Sequence, residues 1–240
     1  MPAPIARHRV NRPSTIAPTR WSQVANLAPD TPGVRQALAW LCQAYWQPLR
    51  RAALRRGLDV HDAEDCVQGF LAQIVERGLG TPEAPRGRFR AWVQAAFGHF
   101  CANRQREAAA LKRGGGAVVA LADHDAPVPA PADPAFDRDW AGEVTARAFD
   151  RLAREQTEPQ RHQVMLPLIR GDNAAEYAAV AQTLSTSSGA LRVAVHRARR
   201  RLAELIRDEI RETIAFTPAE LADPALSAQR IDDELRALLR

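Results

Sequence analysis

Ser187 to Ile210 reads SSGALRVAVHRARRRLAELIRDEI, a run with no proline and a strong 3.6-residue rhythm. At 100° per residue, Leu191, Val195, Ala198, Leu202, Leu205 and Ile206 fall on one stripe, which predicts a long amphipathic helix docked on a core. Ser187 or Ser188 supplies its N-cap. His196, Arg197 and Arg200 lie on the opposite side, flanked by Arg192, Arg199 and Arg201, with Val193 the one apolar residue among them. Just upstream, AAEYAAVAQTL (Ala174 to Leu184) predicts a short helix whose Ala178, Ala181 and Leu184 allow close packing, and STSSG joins the two. Two helices joined by a few turn residues, the second long and basic, form the helix-turn-helix pattern that sets its second helix in a DNA major groove. An arginine-rich face alone is only a solvated surface. Here the face carries mostly one sign of charge, and Val193 stands where an aliphatic side chain could touch a thymine methyl.

The rest of the composition fits a polyanionic partner. The 240 residues hold 33 Lys and Arg against 28 Asp and Glu, a formal net charge of +5, and such an excess favours nucleic acid without identifying it. The length allows one or two domains, and two small ones are expected. No apolar run approaches the ~18 residues of a membrane span and the N-terminus shows no signal-peptide core, so the expected location is the cytoplasm, with no membrane contact. Cys42, Cys66 and Cys101 are odd in number and set among helical apolar residues, which predicts buried free thiols and not a disulfide, zinc site or nucleophile. With no HxxxH, CxxC or Ser/His/Asp grouping, no catalytic residue, metal or cofactor is expected.

Upstream, residues 1–18 carry four prolines and several arginines without periodicity and read as a disordered basic tail. Trp21 and Val24 start a short helix or turn. A helix is expected over 34–56, with Leu38, Leu41, Cys42, Tyr45, Trp46 and Leu49 on its apolar side, Pro48 as a potential kink and Gly57 as its stop. In DVHDAEDCVQGFLAQIVERGLG (Asp59 to Gly80), Ala63, Cys66, Val67, Phe70, Leu71 and Ile74 repeat as an amphipathic helix. Asp62, Glu64 and Asp65 in its first turn suit the helix dipole. Asp65 and Gln68 also share an outward face, beside small Gly69 and Ala72 that could admit a partner helix.

After a Pro/Gly loop, a third helix is expected over 88–112, with Phe89, Trp92, Val93, Ala96, Phe97, Phe100 and Cys101 inward. Arg86, Arg88, Arg90, Arg104, Arg106, Lys112 and Arg113 flank it, with Asn103 and Gln105 among them, and basic residues interleaved with aromatics suit single-stranded nucleic acid. Residues 114–135, opening on three glycines and rich in Ala, Pro and Asp, read as a flexible linker. Beyond it come helices expected over 136–156, with Trp140, Val144, Ala148 and Leu152 inward, and over 159–169, then the paired helices. Residues 217–224 read as a loop, and Ser227 to Leu239 as an amphipathic helix carrying Ile231, Leu235, Leu238 and Leu239 on one side. The fold class is all-α: two small helical domains, 19–113 and 136–216, with a C-terminal helical extension, 217–240.

These motifs, in this order, resemble the extracytoplasmic-function sigma factors of bacterial RNA polymerase, over roughly residues 19–240. DAEDCVQGF (Asp62 to Phe70) is similar to the family's core-binding motif in region two. RGRFRAWV (Arg86 to Val93) and the helix through Asn103 are similar to its minus-ten region, and YAAVAQTLSTSSGALRVAVHRARRRL (Tyr177 to Leu202) to its region-four helix-turn-helix. TRWSQV and LKRGGG resemble a subgroup with a C-terminal helical extension.

The resemblance implies that Asp62, Glu64, Asp65 and Gln68 meet the coiled coil of the polymerase largest subunit, with the flap as a further contact. It implies that Arg88, Arg90, Trp92, Asn103, Arg104 and Arg106 hold the melted minus-ten strand. Ser187, Ser188, Arg192, Val193, His196, Arg197 and Arg200 would read the duplex minus-thirty-five element. An anti-sigma protein, a kinase or the C-terminal helix would be the regulator. One departure is plain: the glycine usual in the helix-turn-helix turn is Ser185 here, which must take a left-handed conformation unless the turn differs. The alternative reading is a helix-turn-helix regulator whose N-terminal half senses a ligand or partner.

Overall fold

A computed structural model describes residues 32–77, 89–112, 133–171, 174–214, 216 and 218–238. Among these residues the fold is all-helical, with no strand. The elements are α1 (Pro32–Arg55), α2 (Val60–Arg77), α3 (Phe89–Lys112), α4 (Pro134–Arg154), α5 (Pro159–Arg170), α6 (Ala174–Thr183), α7 (Ser188–Arg211), α8 (Pro218–Ala222) and α9 (Pro224–Leu238). The basic tail, the Trp21/Val24 turn, Arg88 and all of the expected linker except 133–135 lie outside the described residues.

Local chemistry sets the helix ends. α1 stops at Gly57, whose φ of +85° lets its N–H reach Leu54 O at 3.0 Å while Leu58 N–H reaches Ala53 O at 3.4 Å, the paired bonds of a Schellman ending. Asp59 then caps α2, its carboxylate accepting from Asp62 N–H at 2.8 Å. Asp133 does the same for α4 through Ala135 N–H at 2.9 Å, with Pro134 in the first helical position. The loop expected over 217–224 instead holds α8. Pro218 starts this short helix and Pro224 ends it, because a proline disfavours helical backbone in the residue before it.

The predicted stripe of α2, from Ala63 to Ile74, is buried throughout. It packs with Leu41, Tyr45 and Leu49 of α1 and Val93, Phe97 and Cys101 of α3. The same cluster takes in Phe136, Trp140 and Val144 of α4, together with Ile210, Ile214 and Phe216. The packing therefore joins residues from both sides of the stretch read as a linker. A second cluster gathers Ala148 and Leu152 of α4, Leu168 and Ile169 of α5, Tyr177 and Ala181 of α6, and Leu191, Val195, Leu202 and Leu205 of α7. α4 belongs to both. Its inward residues recur every fourth position from Phe136 to Leu152, the first three in one core and the last two in the other. Outside the apolar seam, Arg51 and Arg55 of α1 reach Asp139 of α4 at 3.2 and 2.5 Å.

Candidate nucleic-acid and partner interfaces

The turn between α6 and α7 is a second Schellman ending. Ser185 N–H bonds Gln182 O at 3.0 Å and Thr186 N–H bonds Ala181 O at 2.9 Å. Ser185 takes φ +49°, the left-handed conformation that glycine would adopt without steric cost. Ser187 then caps α7, its hydroxyl accepting from Ala190 N–H at 3.1 Å.

With the start of α7 fixed and Leu191, Val195, Leu202 and Leu205 buried, its other side faces solvent. Ser187, Ser188, Arg192, Val193, His196, Arg197 and Arg200 are all exposed, Val193 at 51%. Arg192 lies over the Tyr177 ring at 5.3 Å, and Arg200 is only loosely paired with Glu204 at 3.7 Å. The flanking arginines turn back to the protein. Arg199 donates to Leu168 O and Gly171 O at 2.6 Å and to Ile169 O at 3.3 Å, holding the unsatisfied carbonyls at the end of α5. Arg201 makes two 2.8 Å bonds to Glu155, whose carboxyl pKa this contact lowers.

On α2, Asp62, Asp65 and Gln68 are exposed, while Glu64 is half-buried and takes a 2.9 Å bond from Arg50. Gly69 does not leave room for a partner helix. A Cβ there would meet Phe100 Cζ at 3.2 Å and Arg104 Nη1 at 3.3 Å, so the close approach is made by the chain's own α3. Arg104 also donates to Asp65 O at 3.0 Å. On α3, Trp92 and Asn103 are half-buried and Arg104 and Arg106 exposed, with Arg106 donating to Asn103 Oδ1 at 2.7 Å.

Arg90 departs from its expected position among surface DNA contacts. It is 3% exposed, its Nε donates to Asp137 Oδ1 of α4 at 2.6 Å, and its Nη1 donates to Glu234 of α9. Its guanidinium lies 4.9 Å from the Trp140 ring centroid. Two carboxylates and an aromatic face hold the charge inside, which is why a basic residue at the start of a surface-flanked helix is not at the surface.

The thiols differ from one another. Cys42 is half-buried, while Cys66 and Cys101, 35 residues apart, meet with their sulfurs at 2.9 Å. The bond between them lowers the Cys66 pKa, helped by the Arg104 and Arg56 charges, and raises that of Cys101, which burial raises further. Among the described residues, no group of three or more His, Cys, Asp or Glu is placed to hold a metal ion, and no helix is long and apolar enough to cross a membrane.

Two buried carboxylates escaped the sequence reading. Glu209 accepts from Arg147 at 3.0 Å and Arg151 at 2.9 Å, and Glu234 accepts from Arg90. Both signals were present in the pattern, since Glu209 lies four residues after Leu205 and three after Ile206, and Glu234 three residues after Ile231, each on the apolar side of its helix. Compared with models of known protein families, with curated proteins and with solved structures, the chain matches none.

Proposed function

We propose that this chain is a sigma factor of the extracytoplasmic-function type, which binds core RNA polymerase and directs it to promoters. In this reading α6, the Ser185 turn and α7 are a helix-turn-helix that reads the duplex minus-thirty-five element. The unit built on α1, α2 and α3 docks on the polymerase largest subunit through Asp62, Asp65 and Gln68, and takes the melted minus-ten strand along Trp92, Asn103, Arg104 and Arg106. The linker joins these two small helical units, so each adds effective concentration to the other.

The observation that carries the proposal is the exposed face of α7. Arg192, Val193, His196, Arg197 and Arg200 stand free of the core on a helix whose start is fixed by a cap and a rigid turn. Arginines supply phosphate and guanine contacts, and an exposed valine supplies an apolar one. A sigma factor performs no covalent step of its own, so binding faces suffice.

The test is reconstitution. The purified chain should co-purify with core polymerase and support run-off transcription from a subset of genomic fragments, and Asp65→Arg should weaken co-purification while the helical circular dichroism is retained. DNA binding without any polymerase binding would favour the regulator reading, and binding of neither would overturn both.

A further inference from the structure

Cys66 of α2 and Cys101 of α3 are 35 residues apart in the chain, yet their sulfurs lie 2.9 Å from each other as free thiols. The approach has a local cause. Gly69, one turn beyond Cys66, has no Cβ, and a Cβ there would meet Phe100 Cζ at 3.2 Å and Arg104 Nη1 at 3.3 Å. The two helices therefore pass at close range where Cys101, between Phe100 and Arg104 in sequence, faces Cys66. A disulfide bond is about 2.05 Å long, so joining the pair asks for a movement of less than about 1 Å.

The surroundings make one sulfur the nucleophile, because the thiolate is the reactive form. The bond from Cys101 lowers the Cys66 pKa, and the Arg104 and Arg56 charges act in the same direction, whereas the same bond and then burial raise that of Cys101. Cys66 is only 2% exposed, but its cover is thin. The exposed Arg104 side chain donates to Asp65 O at 3.0 Å and reaches toward Gly69, so it spans the α2 backbone on either side of Cys66. A surface side chain of this kind changes rotamer within nanoseconds, which admits an oxidant little larger than water.

We propose that Cys66 and Cys101 are a reversible oxidation site, a dithiol that hydrogen peroxide converts to an intrachain disulfide between α2 and α3. The Cys66 thiolate attacks one peroxide oxygen, the O–O bond breaks, and the departing hydroxide takes up the Cys66 proton as water. Cys66 is then a sulfenic acid. The Cys101 sulfur attacks the Cys66 sulfur, the S–O bond breaks, and the departing hydroxide takes the Cys101 proton as a second water. Two thiols and one peroxide thus give one disulfide and two waters, with two electrons passing from the sulfurs to the peroxide. The product staples α2, which carries Asp62, Asp65 and Gln68, to α3, which carries Asn103, Arg104 and Arg106.

This inference does not rest on the sigma-factor reading, and its test involves neither polymerase nor DNA. The reduced full chain is treated with hydrogen peroxide, the excess is removed with catalase, and unreduced peptides are mapped by mass spectrometry. Free thiols should fall from three to one, and dithiothreitol should restore all three. The peptides holding Cys66 and Cys101 should appear joined and lighter by two hydrogens. Closing a ring of this length should also raise the melting temperature by about 5–10 °C, a gain that reduction removes.

In Cys101→Ser, Cys66 should stop at the sulfenic acid and take up dimedone with no rise in melting temperature, while Cys66→Ser should leave Cys101 unlabelled. Three free thiols in the unaltered folded chain after peroxide, or a disulfide made through Cys42, would overturn the site. Dimedone on Cys101 and not on Cys66 would overturn the assigned nucleophile. Because the mapping uses the unaltered chain, it decides the matter even where a serine variant fails to fold.

Discussion

Ser185 holds φ at +49° with a side chain that this conformation penalises, and the two bonds of the turn keep it there. Ser185→Gly removes the steric penalty but gives the unfolded chain more freedom, so the net gain in stability should be about 0.5–1 kcal/mol. Urea denaturation checks this: a loss on substitution would mean that the hydroxyl contributes more than the backbone strain costs. His162 of α5 offers a pH test. Burial lowers its pKa below the ordinary 6.5, so the unfolded chain takes up the proton first. Its contribution to stability is therefore present above pH 6.5 and is lost as the pH falls through 6.5 toward the lower folded value. The melting temperature should drop over that window, and His162→Leu should flatten that part of the profile.

At the level of the element, the arginines of α7 divide into two kinds that substitution should separate. Arg199 ties down three carbonyls at the end of α5, so Arg199→Ala should cost about 1.5–3 kcal/mol of stability. Arg197 is exposed, so Arg197→Ala should leave stability within about 0.5 kcal/mol, and under the proposed function it should weaken promoter binding by about 1–3 kcal/mol. Melting curves and anisotropy on promoter and scrambled fragments measure both, and equal behaviour of the two variants would mean that the outward face is only solvated.

This division also shows what could be read in advance. The inward stripes of α2, α4 and α7 follow from spacing alone, because a helix converts sequence period directly into direction. The roles of Arg90 and Arg199 do not follow from spacing, because an arginine's reach leaves its partner to be chosen by tertiary packing. Arg90 meets Glu234 across 144 residues, and Arg199 meets carbonyls about 30 residues upstream. The exposed positions Asp62, Asp65 and Gln68 of α2 and Arg192, His196 and Arg197 of α7 were legible from spacing too, since they lie away from the buried stripes.

For the whole molecule, the first core draws on α1, α2 and α3 as well as on α4 and Ile210. Thermal unfolding of the free chain should therefore be one cooperative transition, with calorimetric and van't Hoff enthalpies equal. Two separated endotherms would show that the shared core contributes little. Trp140→Ala should lower the whole transition, because this side chain is fully buried among residues of α1, α3 and α4.

The five inward residues of α4 make it the part of the molecule least able to change length. One residue inserted between Val144 and Ala148 would turn everything beyond it by about 100° and carry Ala148 and Leu152 off the second core while Phe136 and Trp140 stayed in the first. A deletion would do the same in the other direction. In an evolving lineage, substitutions along α4 can accumulate one at a time, whereas any insertion or deletion there must arrive as a whole number of turns.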